Sequence, residues 1–118
     1  MVPENKNALK VTVSYTDTAK STAKKAASFL KARGIEAKPI IAAATAEFEG
    51  KVKTFPLSCP VCEQLVLIGC HKYHECNTSN GYRILYSYDE SGNVVTVHAI
   101  LSQKQDIQQL LYSRIIER

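Results

Sequence analysis

Long apolar stretches, internal repeats and low-complexity segments are all missing from this chain of 118 residues. There is no tryptophan, and no apolar run reaches the roughly 18 residues that a transmembrane helix needs. Residues 1–10 are polar and contain no apolar core of a secretory signal, so we expect a cytoplasmic protein. The length suits one hydrophobic core but not two, which predicts a single domain over residues 1–118.

The charge of the chain is mildly positive. Lys and Arg number 15 against 11 Asp and Glu, a formal net charge of +4, and most of the basic residues precede Phe55. Such an excess permits contact with nucleic acid or with an acidic partner, and the alternative is an ordinary solvated helical face. The candidate RNA-binding residues are four lysines: Lys24, Lys51, Lys53 and Lys72.

The first half of the chain predicts one strand and two helices. Leu9 to Tyr15 alternates apolar and polar residues, which indicates a strand. Apolar residues at helical spacing predict a helix over about 18–33, with Gly34 in the position of a C-terminal cap. A second helix is predicted over about 37–54, so that the two helices form a hairpin.

The second half predicts a meander of three strands. After a loop over 56–64, residues 65–76 are expected to be extended, and strands follow over 82–88 and 94–101. The loop between the last two strands, 89–93, places a glycine near a position that needs a positive φ. A final amphipathic helix starts at Asp106. The predicted fold is α+β, in the order β-α-α-β-β-β-α, with the helical hairpin packed on a small, mainly antiparallel sheet.

Two short phrases carry a resemblance to a known family. They are Gly81-Tyr-Arg83 and Ala99-Ile-Leu-Ser-Gln-Lys-Gln-Asp106, and two looser variants stand at 55–65 and 73–75. In their order and spacing they resemble toxins of the RelE/ParE superfamily, whose element order is also the one predicted here. The resemblance implies the toxin component of a bacterial type II toxin–antitoxin system, of the plasmid-stabilisation kind, with a cognate antitoxin as partner. The two alternative assemblies are a homodimer and a heterotetramer with the antitoxin.

The resemblance implies two alternative mechanisms. RelE-like members are ribosome-dependent mRNA endoribonucleases that use no metal, whereas ParE-like members inhibit DNA gyrase and cleave no RNA. Cleavage requires groups that help the 2′-OH to lose its proton, stabilise the phosphorane and protonate the leaving oxygen. RNA cleavage, with the ribosome and mRNA as partners, is slightly preferred because His74, Arg83 and Lys104 are expected to converge. A degenerate, inactive family member that still binds its antitoxin is a third alternative.

Four residues stand near basic or tyrosine positions of RelE-like toxins, and they are the catalytic candidates: His74, Arg83, Lys104 and Tyr112. Histidine side chains change charge near neutral pH, so a histidine at position 74 can act as acid or base. Arg83 can clamp a phosphate with two hydrogen bonds. The structural alternative is that Arg83 pairs with Glu75 or Asp106 at the edge of the sheet. His98 alternates with apolar neighbours and is predicted to be a half-buried structural histidine.

A cluster of cysteines and histidines suggests a different class of protein. Cys59-x-x-Cys62 with Cys70 and either His74 or Cys76 would form a tetrahedral zinc set, as in a zinc-stabilised binding module. The Cys59–Cys62 pair also has the form of a thiol redox pair. The preferred interpretation is that these cysteines are free thiols and that the protein needs no metal or other cofactor.

Overall fold

The computed structural model of the protein describes residues 10–104. The element bounds are β1 Thr12–Tyr15, α1 Asp17–Ala32, α2 Ala37–Thr54, α3 Glu63–Val66, β2 His74–Asn77, β3 Tyr82–Asp89 and β4 Val94–Ser102. The predicted α+β class and the order of the main elements are confirmed. The predicted final helix, which begins at Asp106, lies outside the described residues, as does Leu9 of the predicted first strand.

The four strands form one sheet in the order β1-β4-β3-β2. The last three strands are an antiparallel meander, as predicted, and β1 adds to its edge parallel to β4. The pairing of β3 with β4 shifts register where Leu85 faces Ala99 and Tyr86 faces Val97, so His98 is an extra residue in β4. This β-bulge changes the face toward which the later residues of β4 point.

Local capping fixes the helical hairpin. The Thr16 side chain accepts a hydrogen bond of 3.0 Å from the Ala19 amide, and this caps the first turn of α1. At the other end Gly34 has a φ of +76°, which a residue with a Cβ rarely adopts. The amides of Gly34 and Ile35 bond back to the carbonyls of Lys31 and Leu30. The chain therefore reverses within a few residues and α2 returns alongside α1.

The sheet carries a core on each face. The larger core lies between the sheet and the two long helices, and its fully buried members include Phe48, Tyr86 and Val97. Thr22 of α1 joins the layers by accepting a hydrogen bond of 2.9 Å from the Ile100 amide of β4. The smaller core lies on the opposite face, under the connection between α2 and β2, and consists of Cys62, Leu65, Tyr73, Leu85, Ala99 and Leu101.

The prediction of an extended segment from residue 65 was wrong. Residues 63–66 form the short helix α3, and β2 begins only at His74. The apolar run that suggested a strand begins in the protein interior and ends at the surface. Leu65 is buried, whereas Leu67 is 79% exposed. A short apolar run does not by itself distinguish a strand from a helical turn. Lys72 therefore lies before β2, outside the strand that begins at His74.

The hairpin between β3 and β4 also differs in one detail. The positive φ, 56°, belongs to Asn93 and not to the glycine beside it. The Asn93 side chain accepts a hydrogen bond of 2.6 Å from the Tyr88 hydroxyl and donates one of 2.7 Å to the Lys10 carbonyl. Asparagine tolerates this backbone region better than most residues do, and the two side-chain bonds hold it there.

The helices within residues 10–104 are too short or too polar for any of them to cross a bilayer.

Candidate functional site

The Arg83 side chain of β3 is a structural connector on the smaller-core face of the sheet. Its Nη1 donates to Gln64 Oε1 at 2.8 Å, its Nη2 donates to the Gln103 carbonyl at 2.6 Å, and its Nε lies 3.4 Å from Glu75 Oε2. Only 14% of this side chain is exposed. The structural role that was the alternative to phosphate binding, an ion pair of Arg83 with Glu75, is therefore observed. The three partners come from α3, from β2 and from the residues after β4.

The two sequence motifs that carry the family resemblance contact each other through Gln103. Besides accepting from Arg83, Gln103 donates its side-chain amide to the carbonyls of Thr78 and Tyr82, both at 3.0 Å. Its backbone amide bonds the Gly81 carbonyl at 3.0 Å. Gly81 has a φ of +95°, so this turn favours glycine. The sequence alone did not single out Gln103 or Gln64, because their roles depend on contacts between distant segments.

His74 lies on the opposite, helix-facing side of the sheet. Its ring stacks on Tyr86, with centroids 5.3 Å apart and an angle of 27°, and its Nδ1 lies 2.8 Å from the Cys59 carbonyl. If Nδ1 carries the proton, it donates to that carbonyl and leaves Nε2 as the basic nitrogen. Because adjacent strand positions alternate between faces, His74 and Arg83 do not meet. The structure separates these two catalytic candidates.

Lys104 lines a groove of about 640 Å³ between α1 and the turn that precedes β3. The groove has an apolar side formed by Phe29 and Tyr82 and is bordered by the cations Lys25, Arg33 and Lys104. Phe29 is 66% exposed, which is unusual for so large an apolar side chain in a small domain. The fourth catalytic candidate, Tyr112, lies outside the described residues.

The predicted RNA-binding lysines lie on α1, on α2 and in the segment before β2. Lys51 and Lys53 are on α2 and make exposed ion pairs with Glu47 at 3.7 Å and Glu49 at 3.3 Å. Lys24 is exposed on α1. Lys72 has its Nζ 5.4 Å from the centroid of the Tyr73 ring, which belongs to the smaller core. Surface ion pairs of this kind contribute little to stability and leave the lysines accessible.

The sheet also divides the cysteines. Cys59 and Cys76 belong to the helix-facing core, whereas Cys62 and Cys70 pack in the core on the other face. The zinc set predicted from the sequence is therefore not assembled. Among residues 10–104, no group of three or more His, Cys, Asp or Glu side chains is placed to hold a metal ion. Burial raises the pKa of the Cys62 thiol.

His98, the extra residue of the bulge, is half-buried, as predicted. Its Nε2 lies 2.8 Å from the Ser87 hydroxyl, and its ring meets Tyr73 edge-on at 5.0 Å. Burial is the main cause that lowers its pKa to about 4, and the charge of Lys72 adds to the effect. The imidazole is therefore neutral at physiological pH and serves the packing of the sheet.

Comparison with known proteins agrees with the fold described above. Residues 13–107 match the family model described as the ParE toxin of the type II toxin–antitoxin system parDE. The fold is similar to a chain in the crystal structure of the toxin–antitoxin complex RelBE2 from Mycobacterium tuberculosis, with a TM-score of 0.56 and 23% identity, covering 81% of this chain and 94% of that one. A search of curated proteins found no significant match. Because the family match spans most of the sequence, the chain belongs to the ParE family of type II toxin–antitoxin toxins.

Proposed function

We propose that this toxin arrests growth by binding DNA gyrase and not by cutting mRNA. One observation carries the proposal: His74 and Arg83 lie on opposite faces of the sheet, and the Arg83 guanidinium is already bound by three protein groups. A ribonuclease needs its proton-transfer and phosphate-binding groups around one scissile bond. The match to a ParE family model supports the same choice. RNA cleavage, which the sequence slightly favoured, becomes the second alternative.

Two assays on the same purified toxin test this mechanism. In the first, gyrase supercoils a relaxed plasmid with and without toxin. In the second, a translating extract is given toxin and the mRNA ends are mapped. We expect inhibition of supercoiling or accumulation of cleaved DNA, with intact mRNA. Ribosome-dependent cuts in the mRNA with unchanged gyrase activity would show that the proposal is wrong.

A variant at His74 sharpens the comparison. In His74→Asn the amide nitrogen takes nearly the position of Nδ1, so the bond to the Cys59 carbonyl is kept while the titratable ring is lost. We expect this variant to remain toxic on expression. If toxicity disappears while the urea midpoint of the variant stays that of the wild type, His74 performs chemistry and the nuclease alternative gains support.

A toxin of a type II pair has an antitoxin as partner, and we propose that the antitoxin fills the groove at Lys104. The groove offers apolar surface at Phe29 and three cations around it, which suits a segment with apolar anchors and acidic flanks. Phe29→Ser should weaken binding to the product of the adjoining reading frame at least tenfold. Leu67→Ser is the matched control, because Leu67 is also highly exposed but belongs to the segment on the opposite side of the sheet.

The remaining features of the proposal concern the whole chain. We propose that residues 1–118 are one domain and that the toxin acts in the cytoplasm, where gyrase works. Whether it assembles as a homodimer or as a heterotetramer with its antitoxin is measured by light scattering on the purified complex.

A further inference from the structure

The segment before α3 pairs with β2 as a short extra edge of the sheet. Val61 and His74 form an isolated antiparallel bridge. Two backbone hydrogen bonds of 2.8 Å flank it, from the Cys62 amide to the Tyr73 carbonyl and from the Glu75 amide to the Pro60 carbonyl. In an antiparallel pairing, one step back on one side corresponds to one step forward on the other. Two steps beyond the bridge therefore set Cys59 against Cys76.

The character of this pair suits a disulfide bond. Because hydrogen bonds flank Val61 and His74 on both sides, they are a non-hydrogen-bonded pair. Continuing this register by two positions predicts the same kind of pair for Cys59 and Cys76. Cα atoms in such pairs lie about 4.5 Å apart, with the side chains close, and disulfides join Cα atoms from about 4.4 to 6.8 Å. Both thiols belong to the helix-facing core, and each is the largest influence on the pKa of the other.

Cys59 is also within reach of a small reagent. It is largely buried, but it lines an open pocket of about 490 Å³ together with Ser58, Lys51 and Glu75. The neighbouring Cys76 thiol is the main cause that lowers the pKa of Cys59, opposed by burial and assisted by the Ser58 hydroxyl and by Lys51. The same contact raises the pKa of Cys76. The thiolate, which is the reactive form, is thus favoured at Cys59 and disfavoured at its neighbour.

We propose that Cys59 and Cys76 are an oxidation site at which a hydroperoxide converts two thiols into a disulfide. The Cys59 thiolate attacks the peroxide, so that an S–O bond forms, the O–O bond breaks and the leaving oxygen takes a proton. The Cys76 sulfur then attacks the sulfenic acid, so that the S–S bond forms and the hydroxyl leaves as water with the Cys76 proton. Two thiols and one hydroperoxide thus give a disulfide, an alcohol and water, and hydrogen peroxide gives two waters.

The bond would attach the connection between α2 and β2 to the sheet. That connection carries the exposed side chains Phe55 and Leu57 just before Cys59. Oxidation therefore changes the freedom of an apolar surface next to the pocket, at a place whose lining shares no residue with the groove at Lys104. This site stands apart from the proposed function, because it requires neither gyrase nor an antitoxin.

Peptide mapping of the reduced, full-length chain tests the site. The protein is exposed to hydrogen peroxide, quenched, alkylated in denaturant and cleaved after Lys and Arg. Cys59, Cys62 and Cys70 then lie in the peptide 54–72, and Cys76 lies in the peptide 73–83. We expect a cross-link between these peptides at Cys59, recognised by fragmentation of the Cys59–Pro60 bond. We also expect Cys59 to react at least tenfold faster than Cys62.

Variants separate the two steps. In Cys76→Ser the hydroxyl keeps a hydrogen-bond donor but cannot form the disulfide, so the sulfenic acid at Cys59 should persist and be trapped by dimedone. Cys62→Ser is the matched control and should still form the cross-link. A bond between Cys62 and Cys70, or reaction of Cys59 no faster than in the urea-unfolded chain, would overturn the proposal. If a variant fails to fold, the peptide map of the wild-type protein still shows whether Cys59 and Cys76 form the disulfide.

Discussion

Replacing Arg83 with alanine should destabilise the domain before it affects any chemistry. The change removes hydrogen bonds to Gln64 and to the Gln103 carbonyl and leaves Glu75, whose side chain is 16% exposed, without its cation. Hydrogen bonds to charged groups contribute about 1.5–3 kcal/mol each, and breaking a buried pair costs about 3–5 kcal/mol. Because this pair keeps some contact with water, we take the lower end, about 3 kcal/mol. The melting temperature should fall by roughly 10–15 °C.

Urea unfolding followed by circular dichroism measures the effect of Arg83→Ala. Arg33→Ala is the control: Arg33 is exposed immediately after α1, with its guanidinium 5.8 Å from the centroid of the Phe29 ring, and its loss should change stability by less than about 0.5 kcal/mol. The result that would refute the reasoning is an Arg83→Ala protein with the wild-type urea midpoint and no toxicity. Arg83 would then act on a target and not as a connector.

Three further predictions concern stability. The pKa of His98 is held at about 4, below its ordinary 6.5, so the neutral form is favoured on folding; the stability is complete above pH 6.5 and falls as the pH drops toward 4. Discounted for partial exposure, urea unfolding should show wild type losing about 1–2 kcal/mol more stability than His98→Gln between pH 6.5 and pH 4, and equal losses would contradict the assignment. Thr22→Val leaves the Ile100 amide without its acceptor and should cost about 1–3 kcal/mol by the same assay, whereas Thr22→Ser should stay close to wild type. Phe48→Ala removes a fully buried ring that meets Tyr86 edge-on at 5.3 Å and should cost about 3–5 kcal/mol by calorimetry, so a smaller loss would mean that the core collapses around the gap.

The helices and the meander were predictable because their signals are local. The apolar spacing and the glycine at 34 placed both ends of α1 within one residue of the observed Asp17–Ala32. The run that begins at Leu65 was not predictable in the same way. Whether this run forms a strand or a helical turn depends on tertiary contacts. These contacts bury Leu65 under the sheet and leave Leu67 in solvent.

The candidate site was predictable only in part. The pairing of Arg83 with Glu75 was anticipated as one alternative, because both residues were expected near the sheet edge. The separation of Arg83 from His74 depends on the register of β2 against β3, in which His74 faces Tyr86 and Glu75 faces Leu85. A slip of one residue would move His74 to the other face. No local pattern in the sequence records that register.

The parallel pairing of β1 with β4 has a consequence for how the toxin is made. Thr12 lies beside Val94 in the sheet. β1 therefore cannot pair until residues some eighty positions later in the sequence have been translated. The long helix α1 packs mainly on that same last strand, through contacts such as Thr22 with Ile100. Pairings between segments so distant in sequence form late in folding. A nascent chain on the ribosome therefore cannot complete this sheet until Ser102 has emerged, and we expect the domain to acquire its toxic form only after that point.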